Sequence, residues 1–272
     1  MKGRRQKVNQ SMGYRFHYTV YGQRELPVVL FLHGFMGNSA DFDTVMTCLV
    51  NQFCCVAVDL PGHGNTIVEG EDTLYTMPQT ANALVSWLNH LNIPQCFLVG
   101  YSMGGRLALY LALHFPQRFP KVVLESASPG LRTKAERAAR LTHDRALADQ
   151  IEAAFPSFLS YWYSQPLFHA LRHHPVFMQV QERRSHNNPA ALATSLRYLS
   201  TGLQPSLWER LQHHTQPLLL LAGADDRKFC TINQAMANCC PTAQLQIIPA
   251  CGHVLHLEQP NAFTHALQTF FS

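Results

Sequence analysis

Short unbroken apolar runs recur along the chain, at Val28-Val29-Leu30-Phe31-Leu32, Cys54-Cys55-Val56-Ala57-Val58, Phe97-Leu98-Val99, Val122-Val123-Leu124 and Leu218-Leu219-Leu220-Leu221. A strand covered on both faces has no polar side to show, so these runs predict the central strands of a parallel sheet. Tyr14, Phe16, Tyr18 and Val20 alternate with less apolar neighbours, which predicts a half-buried opening strand that turns at Gly22. Between the runs the hydrophobic period lengthens to that of a helix. Phe42, Val45, Met46 and Leu49 share one helical face; Ala81, Leu84, Val85, Leu88 and Leu91 share a second, and Leu107, Leu111 and Phe115 a third. A strand through Leu245-Gln246-Ile247-Ile248 and a helix bearing Phe263, Ala266, Leu267 and Phe270 close the pattern. Strand and helix in alternation predict an α/β fold with a doubly wound, mostly parallel sheet, whose sites gather at the carboxyl ends of its strands.

That alternation lapses after Gly130. From about Arg132 to Leu211 there is no buried-strand pattern, and stretches such as Ala135-Glu136-Arg137-Ala138-Ala139-Arg140 suit helices. The segment leaves one strand end and the sheet pattern resumes at Pro217, so it is expected to lie over the site as a lid. The expected division is a core from 1–131 and 212–272, with a helical lid at 132–211.

Composition narrows the class. At 272 residues and 47% hydrophobic, the chain can bury one large core. Charged residues make up 14%, below the roughly 25% of ordinary soluble domains, and the net charge is +4, so neither a nucleic-acid partner nor disorder is indicated. A basic start at Lys2, Arg4, Arg5 and Lys7 is not followed by an apolar signal-peptide core, and no run approaches the roughly 20 residues of a membrane span. A soluble cytoplasmic protein is expected. Eight cysteines without a C-x-x-C pair read as small buried hydrophobes rather than a disulfide framework. His253 and His256 stand near Glu258, but without H-E-x-x-H the segment predicts no metal site.

The chemistry centres on Gly100-Tyr101-Ser102-Met103-Gly104, between the run at Phe97 and the helical pattern at Arg106. Strand, tight turn and helix in that order form a nucleophile elbow, which lifts a serine Oγ above the sheet edge. An ordinary serine hydroxyl is inert near neutral pH, so it needs a base, and the base needs an orienting acid. In such folds these follow in the order Ser, Asp or Glu, then His, on loops after strands. His253 in Ala250-Cys251-Gly252-His253 suits the base, and Asp225 and Asp226 compete equally for the acid. His33-Gly34-Phe35 after the first buried run resembles half of an oxyanion hole, in which an N–H near Phe35 joins that of Met103. Asp59-Leu60-Pro61-Gly62-His63-Gly64 is a further strand-end loop expected to shape the pocket.

Arg106 lies one helical turn beyond Ser102, where a plain esterase has no need of a fixed charge. A buried arginine calls for an anionic partner. With Arg137, Arg140, Arg145, Arg183 and Arg184 in the lid, the pattern suggests a substrate bearing carboxylates.

These residues resemble the α/β-hydrolase superfamily and, within it, the 2-succinyl-6-hydroxy-2,4-cyclohexadiene-1-carboxylate (SHCHC) synthase family. The first motif is superfamily-wide. That motif runs through Gly104-Gly105-Arg106, and the finer likeness rests on Ser128-Pro129-Gly130-Leu131, Trp162-Tyr163-Ser164-Gln165-Pro166-Leu167-Phe168, Gly202-Leu203-Gln204-Pro205-Ser206-Leu207-Trp208 and Asp226-Arg227-Lys228-Phe229. Such a resemblance implies an α/β-hydrolase fold with an inserted helical lid. It also implies Asp226 as the acid beside Ser102 and His253, and Tyr101, Arg106, Arg140, Trp162 and Arg184 as substrate-binding residues for a small dianionic or trianionic substrate. Met103 stands in place of a more usual leucine and Asn65 in place of a serine. The implied reaction is cofactor-free elimination of pyruvate in menaquinone or phylloquinone biosynthesis, with Ser102 removing a ring proton. A carboxylesterase or thioesterase using the same triad, and a non-catalytic receptor on this scaffold, are the rival readings.

Overall fold

A computed structural model describes residues 5–272; Lys2 and Arg4 of the basic start lie outside the described residues. Nine strands form one sheet: β1 (Arg5–Ser11), β2 (Tyr14–Tyr21), β3 (Val28–Leu32), β4 (Cys54–Val58), β5 (Ile67–Val68), β6 (Phe97–Tyr101), β7 (Val122–Glu125), β8 (Leu218–Gly223) and β9 (Ala243–Ile248). Their order is β1-β2-β4-β3-β6-β7-β8-β9, with β5 paired to β2. From β4 to β9 every neighbouring pair is parallel, and β1 and β2 are joined antiparallel. Chain connections run outward in opposite directions from β3 and β6, which lie side by side. The crevice at their carboxyl ends is therefore the topological switch point where such sheets bind ligands.

The helices are α1 (Asp43–Leu49), α2 (Met77–His90), α3 (Met103–His114), α4 (Lys134–Ser164), α5 (His169–His173), α6 (Phe177–Ser185), α7 (Pro189–Tyr198), α8 (Trp208–Leu211), α9 (Arg227–Cys239), α10 (Leu255–Glu258) and α11 (Pro260–Phe271). Side chains of a strand alternate between faces, and β3 shows the consequence. Val29 and Phe31 pack with Phe42 just before α1, Leu49 of α1, and Phe263 and Leu267 of α11. Leu30 and Leu32 pack with α2 and α3, through Leu84, Trp87, Leu107 and Leu111.

The strand β1 has one apolar residue in the described part of its pattern, Val8, which is exposed, so hydrophobic periodicity could not reveal it. Backbone geometry forms it instead. Met12 and Gly13 both take positive φ, +50° and +84°, the two-residue turn that matches the twist of a hairpin. The half-burial predicted for β2 is also corrected. His17 and Thr19 on its polar side are buried because His17 Nδ1 reaches Asp59 Oδ2 at 2.7 Å and Thr19 Oγ1 donates to Ser39 Oγ at 3.2 Å.

Between β7 and β8 the chain is helical, through α4 to α8. Thr133 starts α4 with a capping box, its hydroxyl accepting from Glu136 N–H while Glu136 reaches back to Thr133 N–H. The helix breaks its geometry at Ala154 (φ −157°, ψ 72°), two residues before Pro156, whose ring and missing N–H prevent a regular turn there. Leu147, Ile151 and Phe155 of α4 pack with Leu192 of α7 in the same apolar cluster as the α1 face of the sheet. Among the described residues no helix is long and apolar enough to cross a membrane. All eight cysteines are free thiols; Cys54, Cys55, Cys96, Cys240 and Cys251 are buried and Cys48 is exposed.

Candidate active site

Ser102 occupies the corner between β6 and α3 with φ +49° and ψ −106°, a conformation strained for any side chain. Its N–H donates to Glu125 O at 2.9 Å, which pins the corner to β7. Gly104 makes the geometry possible. A Cβ there would stand 2.2 Å from Leu32 O, so only glycine lets the first turn of α3 lie against the end of β3. Ser102 Oγ lies 3.2 Å from His253 Nε2, and His253 Nδ1 lies 2.6 Å from Asp226 Oδ2. An ionised carboxylate only accepts, so Nδ1 carries the proton and Nε2 is left to accept from Ser102. Asp226 is buried, and its Oδ1 also accepts Phe229 N–H at 3.2 Å as the N-cap of α9, whereas Asp225 is exposed. Of the two aspartates it is Asp226 that stands beside His253.

Two further carboxylates hold the base loop. Glu258 accepts Gly252 N–H at 2.5 Å and Val254 N–H at 3.1 Å, gripping the residues on either side of His253; burial raises its pKa. Glu125 accepts from His256 N at 3.1 Å and His256 Nδ1 at 2.8 Å. His253 and His256 thus serve different carboxylates. Among the described residues no group of His, Cys, Asp and Glu converges to hold a metal ion.

Phe35 and Met103 both line the cavity beside Ser102. Met103 opens α3, so its N–H has no carbonyl one turn back and sits at the positive end of the helix. Gly34 brings the Phe35 loop close: a Cβ there would stand 2.4 Å from the Tyr101 ring. The Phe35 ring meets Trp162 edge-on at 5.4 Å and His63 at 5.6 Å. The loop from Asp59 to Gly64, expected to shape the pocket, contributes none of the described lining residues. It stands behind Phe35, through His63, because Asp59 is turned inward to His17, Ser39 and Asn65.

The cavity measures about 380 Å³ and collects Tyr101, Ser102, Arg106, Arg140, Trp162, Arg184 and His253 around one space. The sequence-predicted site residues therefore meet, but their charges are not equivalent. Arg184 is buried and donates to both oxygens of Asp41, at 2.9 and 2.7 Å, and to Tyr163 Oη at 3.3 Å. Arg140 Nε donates to Asp144 Oδ1 at 2.7 Å. Arg106, expected to have an anionic partner, has neutral ones: Gln204 Oε1 at 2.9 Å and Leu199 O at 3.0 Å. Burial lowers its pKa to about 10, with the nearby charge of Arg140 adding to the effect and that of Asp144 opposing it. Of the other lid arginines, Arg145 is exposed, Arg137 donates to Leu131 O, and Arg183 lies 3.4 Å from Asp41.

A sequence model of the alpha/beta hydrolase fold matches residues 27–260. A Serratia proteamaculans (strain 568) protein named 2-succinyl-6-hydroxy-2,4-cyclohexadiene-1-carboxylate synthase is 35% identical over 254 residues, which cover 92% of this chain and 94% of that one. The chain belongs to the SHCHC synthase family of α/β hydrolases. An Enterobacter sp. (strain 638) relative of the same name is 35% identical over 256 residues, 90% of this chain and 92% of its own. The solved structure of MenH from S. aureus superposes with a TM-score of 0.88 at 32% identity, covering 93% of this chain and 97% of that one.

Several residues around the cavity were given no role by sequence reasoning, although Lys228 and Phe229 stood in a quoted motif. Asp41 stands 143 positions from Arg184, and no local pattern links them. Asp144 had a signal, since it follows Arg140 by one helical turn, but the spacing reads equally as a surface pair. Lys228 and Phe229 line the cavity because α9 starts at the acid; the Phe229 ring lies 4.7 Å from that of His253.

Proposed function

We propose that this family member is a lyase that eliminates pyruvate from 2-succinyl-5-enolpyruvyl-6-hydroxy-3-cyclohexene-1-carboxylate to form SHCHC, in menaquinone or phylloquinone biosynthesis. The observation that carries the reading beyond the names of the relatives is Arg106: a guanidinium whose hydrogen-bond partners are all neutral, lining the same cavity as Ser102 and His253. A substrate carboxylate supplies what the protein withholds.

In this reading Ser102 Oγ removes the ring proton next to the succinyl carbonyl while its own proton passes to His253 Nε2. Asp226 holds the imidazole in the accepting tautomer and stabilises the imidazolium that forms. The C–H electron pair moves onto the carbonyl oxygen, where the N–H groups of Phe35 and Met103 meet the developing charge. Collapse of that enolate through the ring double bond turns the 3-ene into the 2,4-diene and breaks the C–O bond to the enolpyruvyl group. Pyruvate departs as its enolate and takes up the proton that His253 gained, which restores the neutral imidazole. No electrons are gained or lost in these steps, so their balance calls for no oxidant or reductant. Tyr101 and Trp162 supply apolar walls, and Arg106 and Arg140 orient the carboxylates.

Incubation of the protein with the enolpyruvyl substrate, with pyruvate read by a coupled reductase, should show pyruvate release that depends on Ser102. An esterase built from the same triad would turn over simple aryl esters at rates rivalling pyruvate release. That outcome would reverse the assignment, and binding without turnover would favour a receptor.

A further inference from the structure

We infer that Gln204 is a specificity-determining positioning residue: by giving Arg106 a neutral acceptor, it aims the guanidinium while leaving its positive charge for a substrate carboxylate. The inference rests on the elimination reading above only in the identity of that carboxylate.

Gln204 belongs to the segment Gly202-Leu203-Gln204-Pro205-Ser206-Leu207-Trp208, to which no chemical step has been assigned. It is 1% exposed, and its Oε1 accepts from Arg106 at 2.9 Å while its Nε2 has no partner. An arginine only donates, so the oxygen must be the atom that faces it. The segment is built to hold that side chain in place. A Cβ on Gly202 would stand 2.6 Å from Arg137 O, so the turn lies directly on α4. Trp208 Nε1 donates to Gly130 O at 2.9 Å, anchoring the far end.

Glutamate has the shape of glutamine, and this fold buries a carboxylate against an arginine elsewhere, at Asp41 and Arg184. A neutral group at position 204 is therefore a choice of charge, not of space. Asp144, whose charge Arg106 feels, makes no hydrogen bond to it; its two oxygens accept from Arg140 and from the Ser200 hydroxyl, each at 2.7 Å. Arg106 is consequently a pre-aimed cation without a hydrogen-bonded counter-ion.

The test is Gln204→Glu in the full chain, with Gln204→Leu beside it. The glutamate variant should melt higher than the parent, since an enclosed cation gains a partner. Its KM for the enolpyruvyl substrate should rise by roughly 10- to 100-fold with kcat changed far less, and inhibition by succinate should weaken in parallel. The leucine variant should melt lower and show the smaller rise in KM, because the charge stays available and only its aim is lost. A KM within about twofold of the parent for Gln204→Glu, a lowered melting point for it, or an equal KM penalty for leucine would each overturn the inference. Failure of the elimination reading shows separately, as absence of pyruvate release by the parent; succinate binding to parent and variants by calorimetry then still decides the role of Gln204.

Discussion

Arg184 and Arg106 line the same cavity, yet their surroundings are opposites. Arg184 is clasped by Asp41, and burial, which alone would raise that carboxyl, is outweighed by Arg184 so that Asp41 falls to about 2. Arg106 has an amide and a backbone carbonyl, and it falls to about 10. A buried charge with a hydrogen-bonded counter-ion is a joint of the structure, here between α6 and the loop before α1. An enclosed charge left with neutral partners costs stability and marks a place where a ligand is expected. Arg184, implied by resemblance to bind substrate, thus acts first as the clamp that seats the lid and Tyr163.

The largest effect sets the scale for both arginines. Ser102→Ala removes the reacting hydroxyl and leaves both cations in place; kcat should drop by about 10³-fold or more while the melting temperature is essentially unchanged. Next comes the joint. Asp41→Ala strands the Arg184 charge and should cost about 3 to 5 kcal/mol in denaturant unfolding, far more than any change it makes to KM in the protein that remains folded. The third divides the pair: Arg106→Ala should lower kcat/KM by roughly 10- to 100-fold, about 1.5 to 3 kcal/mol, with stability held or improved. A stability loss there as large as that of Asp41→Ala would erase the distinction between the two arginines.

The smallest is a pH effect. The Asp41 carboxyl is depressed in the fold, so its stabilisation is full above its unfolded value, near pH 4, and is lost as pH falls through about 2. The loss amounts to about 2 kcal/mol, and Asp41→Asn should flatten that part of the acid unfolding curve. Arg106→Ala should leave it as steep as in the parent.

Legibility varied with the range of the interactions involved. The parallel strands and four of the helices, α1, α2, α3 and α11, were readable because each is defined by its own hydrophobic period. The elbow was readable because Gly100, Ser102 and Gly104 are neighbours in sequence and act as neighbours in space. The strand β1 was not, since its hairpin depends on the φ of Met12 and Gly13 rather than on apolar residues. The acid was half-legible. Asp225 and Asp226 are adjacent and chemically identical, and only the start of α9 turns one inward and the other to solvent. The Asp59 loop was misread for a related reason: its position after a strand was right, but inward hydrogen bonds point it away from the cavity.

What the sequence by itself determined was everything carried by short-range pattern: the alternating architecture, the helical stretch between β7 and β8, Ser102 at a corner, and the set of basic residues near it. Partnership was decided only in three dimensions. Asp41 finds Arg184 across 143 residues, Gln204 finds Arg106 across 98, and His253 finds Ser102 across 151. The energy of a charge depends on what surrounds it within a few ångströms, and chain order does not encode that distance.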